Sequence, residues 1–279
     1  MTIGPKIWFI TGISRGFGRA LADALLARGD TVIGTTRSGA AEVNRGKGRI
    51  EVLTLDVTDA QSVKKAVAAG FQLHGRIDVI VNNAGYGLLS SVEEATDDEI
   101  EHVFAVNFHG TRRVIQAALP GLRAQRSGHI INITSMAAVA PNAGSGYYSA
   151  AKMAVEGMSQ ALAREVGPLG IRVTLIEPGP FRTEFLSGQS IRLSASNLRD
   201  YADTAGAVRE RLTAMDGKQA GDPVRAAAAI IQVVDSSKPP LHLILGADGY
   251  RRTRQMLDAY SAELEAWKAT TVGADYPAQ

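Results

Sequence analysis

The segment GSGYYSAAKMAVEG, residues 144–157, contains two adjacent tyrosines followed by a lysine. A tyrosine and a lysine one helical turn apart can exchange protons with a substrate. Tyr148 and Lys152 are four positions apart, a spacing that places two side chains on the same face of a helix. Tyr147 stands five positions before Lys152, and at 3.6 residues per turn this step turns the two side chains away from each other. Helical geometry therefore selects Tyr148 as the candidate acid and base.

Seven short apolar runs alternate with helix-length segments along the chain, and most of these runs are continuous. Continuous runs are typical of strands covered on both faces, as in a parallel sheet. The predicted strands are residues 6–11, 31–36, 50–56, 78–84, 128–135, 171–179 and 241–246, and the clearest predicted helices are 17–29, 59–73, 97–125 and 149–167. Repeated strand–helix order predicts an α/β fold, a doubly wound, mostly parallel, seven-stranded sheet flanked by helices.

No linker or low-complexity tract interrupts this order, so we expect residues 1–279 to form one domain. Two segments depart from this alternation of strands and helices. Residues 181–222 form a long connection before the last strand, and such connections in compact domains often act as lids or binding segments. Residues 248–268 predict a helix, which begins a C-terminal helix and tail of residues 248–279.

A glycine-rich stretch, TGISRGFG at residues 11–18, connects the first predicted strand to the first predicted helix. Ligands of open α/β sheets lie beyond the carboxyl ends of the strands, where helix N-termini offer free N–H groups to phosphate. Gly12 would permit a tight turn, and Gly16 and Gly18 would let the backbone approach a pyrophosphate closely. The spacing is GxxxGxG rather than GxGxxG, so taken alone the three glycines also fit a structural turn.

The second predicted strand ends in Thr35 and Thr36 and is followed by Arg37. NAD sites of this architecture usually place an acidic residue here to bind the ribose 2′-hydroxyl. Arg37 and Arg15 instead suit a 2′-phosphate, because guanidinium groups form charge-assisted hydrogen bonds with phosphate. The alternative is that both arginines are solvated surface residues. We therefore predict NADP as the cofactor, with NAD less favoured.

Polar residues also follow the third and fourth predicted strands. Asp56 can accept a hydrogen bond from an adenine amino group. Asn82 and Asn83 can brace neighbouring strands or contact a cofactor. Polar residues at strand ends are also commonly structural, so these positions leave both interpretations open.

Six motifs stand in register along the chain: TGISRGFG, NNAG at 82–85, Asn107 in AVNFHG, Ser135, YSAAK at 148–152 and PGPFRTEF at 178–185. From about residue 6 to 186 the set resembles the short-chain dehydrogenase/reductase superfamily, in its single-domain Rossmann-fold branch. The added helix at 248–268 makes the C-terminal half more similar to members grouped loosely with 17β-hydroxysteroid dehydrogenases. The resemblance implies an oxidoreductase that moves hydride between a nicotinamide and a carbonyl or secondary alcohol.

The resemblance also implies a role for each matching residue. Tyr148 would exchange a proton with the substrate oxygen, and the Lys152 ammonium and an oxidised nicotinamide would move its phenol pKa from about 10 toward neutral pH. Ser135 would donate to the substrate oxygen, and Asn107 would hold a water at a local backbone distortion and complete a proton relay. Thr183 would hold the nicotinamide carboxamide. The implied catalytic set is Asn107, Ser135, Tyr148 and Lys152, and the implied cofactor contacts are Gly12, Ser14, Arg15, Gly16, Phe17, Gly18, Arg37, Asp56, Val57, Asn83, Ala84, Gly85, Tyr148, Lys152, Pro178, Gly179, Phe181 and Thr183.

Substrate identity should depend on residues 181–222 and 136–147. Tyr147 is predicted to line the substrate pocket or the turn that enters the helix. Five apolar residues predict a mouth for a small lipophilic substrate, although they can equally pack a lid against the domain: Phe181, Phe185, Leu186, Ile191 and Leu193.

Two classes of function remain open. The first is an NADP(H)-dependent carbonyl reductase or alcohol dehydrogenase. The second is a non-catalytic NADP(H)-binding regulator that senses redox state, a role known among relatives without the tyrosine–lysine pair. Intact Ser135, Tyr148 and Lys152 favour the enzyme.

Composition excludes several other classes. A net charge of +2 gives no basic surface for nucleic acid, and the absence of cysteine rules out a disulfide framework. The longest apolar stretches are shorter than the roughly 20 residues of a membrane span. We expect a cytoplasmic protein that acts on a small molecule, and by resemblance a homodimer or homotetramer that uses helices 97–125 and 149–167. No metal site is predicted, because the histidines show neither ligand spacing nor an accompanying carboxylate cluster: His74, His102, His109, His129 and His242.

Overall fold

The computed structural model describes residues 4–44, 46–188 and 190–276. Within these residues the strands are β1 (Ile7–Thr11), β2 (Thr31–Thr36), β3 (Arg49–Thr54), β4 (Val79–Asn82), β5 (Gly87–Leu89), β6 (Gly128–Ile133), β7 (Ile171–Pro178), β8 (Ile191–Leu193) and β9 (His242–Leu245). The α-helices are α1 (Gly16–Arg28), α2 (Ala60–His74), α3 (Asp97–Phe104), α4 (Thr111–Gln125), α5 (Gly146–Val166), α6 (Ala207–Ala214), α7 (Pro223–Asp235), α8 (Ala247–Ala266) and α9 (Lys268–Val272).

Seven strands form one sheet in the order β3-β2-β1-β4-β6-β7-β9, and every neighbouring pair is parallel. This confirms the predicted doubly wound α/β sheet. The strand order reverses between β1 and β4, and such a reversal opens a crevice at the carboxyl ends of the strands. β5 and β8 form a separate two-stranded sheet that was not predicted, because each strand has only three residues.

Side chains of β1 show why its apolar run is continuous. Phe9 packs on one face of the sheet with residues of α2 and α4, including Val63 and Val114. Trp8 and Ile10 pack on the other face with residues of α1 and α7. Because helices cover both faces, the four successive residues from Trp8 to Thr11 are all buried, as expected in a parallel sheet.

Two predicted helices differ from the structure. The predicted helix 97–125 is interrupted by a π-helical stretch, Ala105–Gly110, between α3 and α4. At Gly110 a Cβ atom would lie 2.8 Å from the Cβ of Val57, so the wider turn brings this backbone against the loop after β3. The predicted helix 149–167 begins three residues earlier, because the Ser149 N–H donates to the Ser145 carbonyl oxygen at 2.8 Å and extends the first turn.

The described part of the predicted lid, residues 181–222 without residue 189, is fastened to the body through Glu94. The Leu198 N–H donates to Glu94 Oε1 at 2.7 Å, and Arg209 of α6 lies 3.5 Å from Glu94 Oε2. Ser91 N–H also donates to Glu94 Oε2, at 2.8 Å. A buried carboxylate with this set of donors ties the lid to the segment after β5.

The predicted C-terminal helix is present as α8, and most of it projects from the body. Thr253 is buried against the body, whereas every described residue from Leu257 to Tyr276 is exposed. The final residues of the predicted tail, 277–279, lie outside the described residues. None of the helices in the described chain is long and apolar enough to cross a membrane.

Candidate active site

A cavity of about 1130 Å³ lies at the carboxyl ends of the strands. Of the residues predicted to bind the cofactor, all line this cavity except Gly18. Ser135, Tyr148 and Lys152 of the predicted catalytic set also line it, whereas Asn107 is fully buried behind its wall. The fold therefore brings the two predicted sets into one continuous space.

Gly18 packs closely against the start of the glycine-rich loop and against Asn83. A Cβ atom at this position would lie 2.2 Å from the Gly12 carbonyl oxygen and 2.5 Å from Asn83 Nδ2. Asn83 Nδ2 donates to the carbonyl oxygens of Thr11 and Gly12, at 2.9 and 2.8 Å. Asn83 therefore braces the loop against β1, which was one of the two roles considered for it, while its residue also borders the cavity.

The N-terminus of α1 faces the cavity. Gly16 begins the helix with a φ of +59°, in the left-handed region that favours glycine. Its N–H donates to the carboxylate of Glu184 at 3.2 Å. An N–H at a helix start that already meets a carboxylate oxygen suits a phosphate oxygen equally well.

The far end of the cavity carries the residues predicted to meet the ribose and adenine. Arg15 and Arg37 both line it. The Thr58 hydroxyl donates to Asp56 Oδ1 at 2.7 Å, and this bond, together with the charge of Arg37, lowers the pKa of Asp56 against the effect of burial. Asp56 is therefore ionised at neutral pH and can accept hydrogen bonds.

Tyr148 is buried and protonated. Burial raises the pKa of Tyr148 to about 12, opposed by a hydrogen bond with the Ser135 side chain. The ammonium of Lys152 lies 5.9 Å from the centre of the Tyr148 ring and donates to the Ile133 carbonyl oxygen at 2.9 Å. The predicted lowering of the Tyr148 pKa is thus not found among these side chains, because desolvation of the phenolate dominates.

Of the two predicted places for Tyr147, the substrate pocket is not the one found, since Tyr147 does not line the cavity, whereas the turn that enters the helix is. Both tyrosines belong to the first turn of α5, and the Tyr147 hydroxyl points elsewhere, donating to the Val92 carbonyl oxygen at 3.0 Å. The helical argument that separated the two side chains holds, and Tyr147 ties α5 to the segment after β5.

Asn107 lies in the π-helical stretch, where a backbone distortion was predicted. Its side chain forms two hydrogen bonds with one residue: the Tyr86 N–H donates to Oδ1 at 3.1 Å, and Nδ2 donates to the Tyr86 carbonyl oxygen at 2.8 Å. A Cβ atom on Gly85 would lie 2.7 Å from Asn107 Oδ1 and 3.3 Å from Lys152 Nζ. Asn107 therefore positions the backbone that passes directly beside Lys152.

A row of polar side chains beneath the cavity joins the sheet to α5. Asn82 Nδ2 donates to Asn132 Oδ1 at 2.8 Å, and Asn132 Nδ2 donates to Ser159 Oγ at 2.7 Å. All three residues are buried. We call this row the amide ladder; it fixes α5 relative to β4 and β6.

The predicted substrate half of the cavity, at its mouth, is lined by apolar residues and by a rim of cations. Four of the five residues predicted at the mouth line it, and Leu193 is the exception. Leu193 is half exposed and lies in β8, whose pairing with β5 sets its direction. The sequence interpretation missed the cations because β8, α6 with the loop after it, and α8 bring them together from distant segments; they are Arg192, Arg211, Lys218, Arg251 and Arg252.

A further group was also missed, near Lys152. His242 Nδ1 lies 2.7 Å from Glu177 Oε1 and 3.5 Å from Glu156 Oε2. The prediction that no carboxylate cluster accompanies a histidine is therefore wrong at His242. Pairing of β7 with β9 and packing of α5 on β7 join these residues, which no local spacing reveals. The absence of a metal site stays a prediction.

Comparison with known proteins identifies this arrangement. Residues 6–192 match the family model described as short chain dehydrogenase. The chain belongs to the short-chain dehydrogenase family. It is 39% identical over 267 residues to Oxidoreductase BOA17 of Botryotinia fuckeliana, across 94% of this chain and 97% of that protein. It is 37% identical over 243 residues to 3-ketodihydrosphingosine reductase of Bacteroides thetaiotaomicron, across 87% of this chain and 88% of that protein.

Solved structures of short-chain dehydrogenases agree in fold. The one from Streptomyces avermitilis has a TM-score of 0.87 and 38% identity, covering 99% of this chain and 100% of that chain. An enzyme of Burkholderia phymatum in complex with NAD has a TM-score of 0.79 at 20% identity, covering 95% of this chain and 96% of that chain. One of Burkholderia cenocepacia in complex with NADP has a TM-score of 0.73 at 23% identity, covering 95% of this chain and 98% of that chain. Family membership makes the chain an NAD(P)-dependent oxidoreductase.

Proposed function

We propose that this short-chain dehydrogenase reduces the carbonyl group of a small lipophilic substrate with NADPH, and that Tyr148 donates the proton. The observation that carries the proposal is the placement of buried Tyr148 beside Lys152, together with Ser135, in the cavity that also contains the glycine-rich loop. A general acid must hold its proton until the substrate oxygen needs it, and the raised pKa of Tyr148 satisfies this requirement.

The cavity fits a dinucleotide. The glycine-rich loop and the N-terminus of α1 would hold the pyrophosphate, Asp56 the adenine amino group, and Thr183 the carboxamide, with Pro178 and Gly179 shaping the turn before it. Bound NADPH would supply the hydride. The Tyr148 proton then passes to the substrate oxygen, Ser135 donates to the same oxygen, and the Lys152 ammonium stabilises the phenolate left on Tyr148.

Two matched substitutions test the role of Tyr148. Tyr148→Phe removes the acid and should lower kcat by about 10²–10⁴-fold while NADPH still binds. Tyr147→Phe removes only the bond to Val92, so it should cost about 1 kcal/mol of stability and leave kcat within about twofold. Both variants are assayed by NADPH absorbance with a panel of ketones, quinones and alcohols. Comparable losses of kcat in the two variants would refute the assignment.

The same panel separates the enzyme from the alternative function. An enzyme oxidises NADPH with at least one carbonyl compound of the panel. Tight NADP(H) binding without turnover of any of them, by the unmodified protein, would favour the redox-sensing regulator.

The preference for NADP rests on Arg15 and Arg37, which line the cavity beyond β1 and β2. Arg37→Ala should raise the KM for NADPH by about tenfold, since charge-assisted bonds to phosphate contribute roughly 1.5–3 kcal/mol. The KM for NADH should change little. A lower KM for NADH than for NADPH in the unmodified enzyme would contradict the proposal.

We also propose that the chain works as one domain, with residues 181–222 as a substrate lid. Four apolar residues at the mouth and the Glu94 attachment support this role. Calorimetry should show a single unfolding transition, and limited proteolysis should cut the lid first and be slowed by substrate. Two separate transitions would contradict the one-domain interpretation.

The enzyme is further proposed to be a cytoplasmic homodimer or homotetramer. Side chains such as Met153 on α5, 53% exposed, and Trp267 after α8, 66% exposed, provide apolar surface for assembly. Sedimentation at micromolar concentration should show a species of at least two chains, and a monomer would refute it. Fractionation of the source cells should recover the protein with the cytoplasm.

A further inference from the structure

Glu156 lies one helical turn beyond Lys152 on α5, a spacing that places the two side chains on one face of the helix. The residue is only 5% exposed, and within the described chain neither carboxylate oxygen has a hydrogen-bond partner. The Thr134 hydroxyl beside it donates to the Ile176 carbonyl oxygen at 3.1 Å. A buried carboxylate without donors is costly, so its neighbours must explain its presence.

Three titratable groups face Glu156 from the elements packed around it. Glu177 of β7 is buried, and His242 of β9 lies between the two carboxylates with its ring reaching the surface. Lys152 is the third, on the same helix. Burial and the charge of Glu177 raise the pKa of Glu156 to about 7, while the neighbouring Thr134 side chain and the charges of His242 and Lys152 oppose this effect.

The charge of Glu156 in turn affects the pKa of Lys152. Burial lowers the pKa of Lys152 to about 8, and the charge of Glu156 works in the opposite direction. Within the described residues, the Lys152 ammonium donates a hydrogen bond to the Ile133 carbonyl oxygen at 2.9 Å. An ionised Glu156 therefore keeps Lys152 charged over the pH range in which the enzyme would work.

We propose that Glu156 is a positioning residue that maintains the ammonium form of Lys152, and that His242, which also contacts Glu177, holds its carboxylate in place. The inference rests on the proposed function, in which the Lys152 ammonium stabilises the Tyr148 phenolate. It assigns a role to a residue outside the substrate and cofactor cavity.

Removing the charge of Glu156 should lower the pKa of Lys152. In Glu156→Gln the opposing negative charge is absent, so the Lys152 pKa falls further and the ammonium is lost at a lower pH. The alkaline limb of kcat for carbonyl reduction should move down by about two pH units, the shift given by two unit charges roughly as far apart as the Cβ atoms of residues one helical turn apart, about 5–6 Å, at an effective dielectric constant near 20. Glu156→Asp keeps the charge, so its alkaline limb should stay close to that of the unmodified enzyme.

The experiment measures kcat at saturating NADPH from pH 6 to 10 for the unmodified enzyme, Glu156→Gln and Glu156→Asp. Glu165→Gln is the matched control, because it makes the same change at an exposed position of the same helix. A merely structural role would lower kcat at all pH values without moving the limb. An unmoved alkaline limb in Glu156→Gln would overturn the proposal.

A second readout does not depend on turnover. In protein labelled with ¹³C-lysine, the Lys152 signal is identified by its loss in Lys152→Met and titrated by NMR. Glu156→Gln should lower its midpoint by about two units, and an unchanged midpoint would overturn the inference. If the unmodified protein showed no turnover while Glu156→Gln still lowered the Lys152 midpoint, only the proposed function would be refuted.

Discussion

Gly18→Ala offers a direct test of how the glycine-rich loop is built. The added Cβ would lie 2.2 Å from the Gly12 carbonyl oxygen and 2.5 Å from Asn83 Nδ2. Neither atom can move freely, because Asn83 Nδ2 donates to that same oxygen and to the Thr11 carbonyl oxygen. The substitution therefore displaces the loop that would hold the pyrophosphate.

The magnitude follows from three contributions. Overpacking costs about 1–3 kcal/mol, and a weakened Asn83 hydrogen bond costs about 1 kcal/mol. Replacing glycine by alanine inside a helix stabilises the folded state by about 1 kcal/mol. The net loss is about 2 kcal/mol, which corresponds to a fall in Tm of roughly 4–8 °C. NADPH binding should weaken by about tenfold, since the binding loop is displaced.

Gly157→Ala on α5 is the matched control, because a Cβ there meets no atom within 4 Å. This variant should gain about 0.5–1 kcal/mol and bind NADPH normally. Calorimetry gives Tm, and fluorescence titration gives the Kd for NADPH. If Gly18→Ala matched the unmodified protein in both quantities, the tight packing described here would be refuted.

Three further outcomes are expected. Glu94→Gln leaves the side chain of Arg209, 15% exposed, without its charge partner and should cost about 3 kcal/mol by urea unfolding; equal stability would contradict the lid attachment. Burial lowers the pKa of His129 to about 4, so only the unfolded chain binds this proton between pH 4 and 6.5, and stability should fall by about 3 kcal/mol as the pH drops through that window. His129→Gln should remove this part of the pH dependence, and an unchanged pH profile of unfolding would contradict it. Because Arg211 and Arg252 line the substrate half, KM should rise with salt for a ketone bearing a carboxylate and not for its neutral analogue; equal salt dependence would argue against a cationic rim.

Local periodicity explains which parts of the site were predictable. Tyr148 and Lys152 are related by one helical turn, so the sequence alone was sufficient to separate Tyr148 from Tyr147. The continuous apolar runs likewise predicted the seven strands, because burial on both faces removes polar residues from them. These inferences depend only on neighbours a few residues apart.

Long-range contacts explain what was missed. Glu156, Glu177 and His242 meet only after β7 and β9 pair, and no spacing along the chain connects them. The pKa of Tyr148 depends on how deeply the finished fold buries its ring, whereas the sequence shows only that a lysine is near. The direction of the Tyr147 hydroxyl depends on Val92, which is separated from it by 55 positions.

Because of the amide ladder, Tyr148 and Lys152 are brought into position during folding rather than during substrate binding. Asn82, Asn132 and Ser159 are buried and hydrogen-bonded to one another, so the position of α5 over the sheet is fixed once the chain has folded. The conformational entropy of bringing Tyr148 and Lys152 into place is therefore lost during folding, a single time in the life of each molecule. Successive substrates then meet groups that are already arranged, and none of their binding energy is consumed in assembling them.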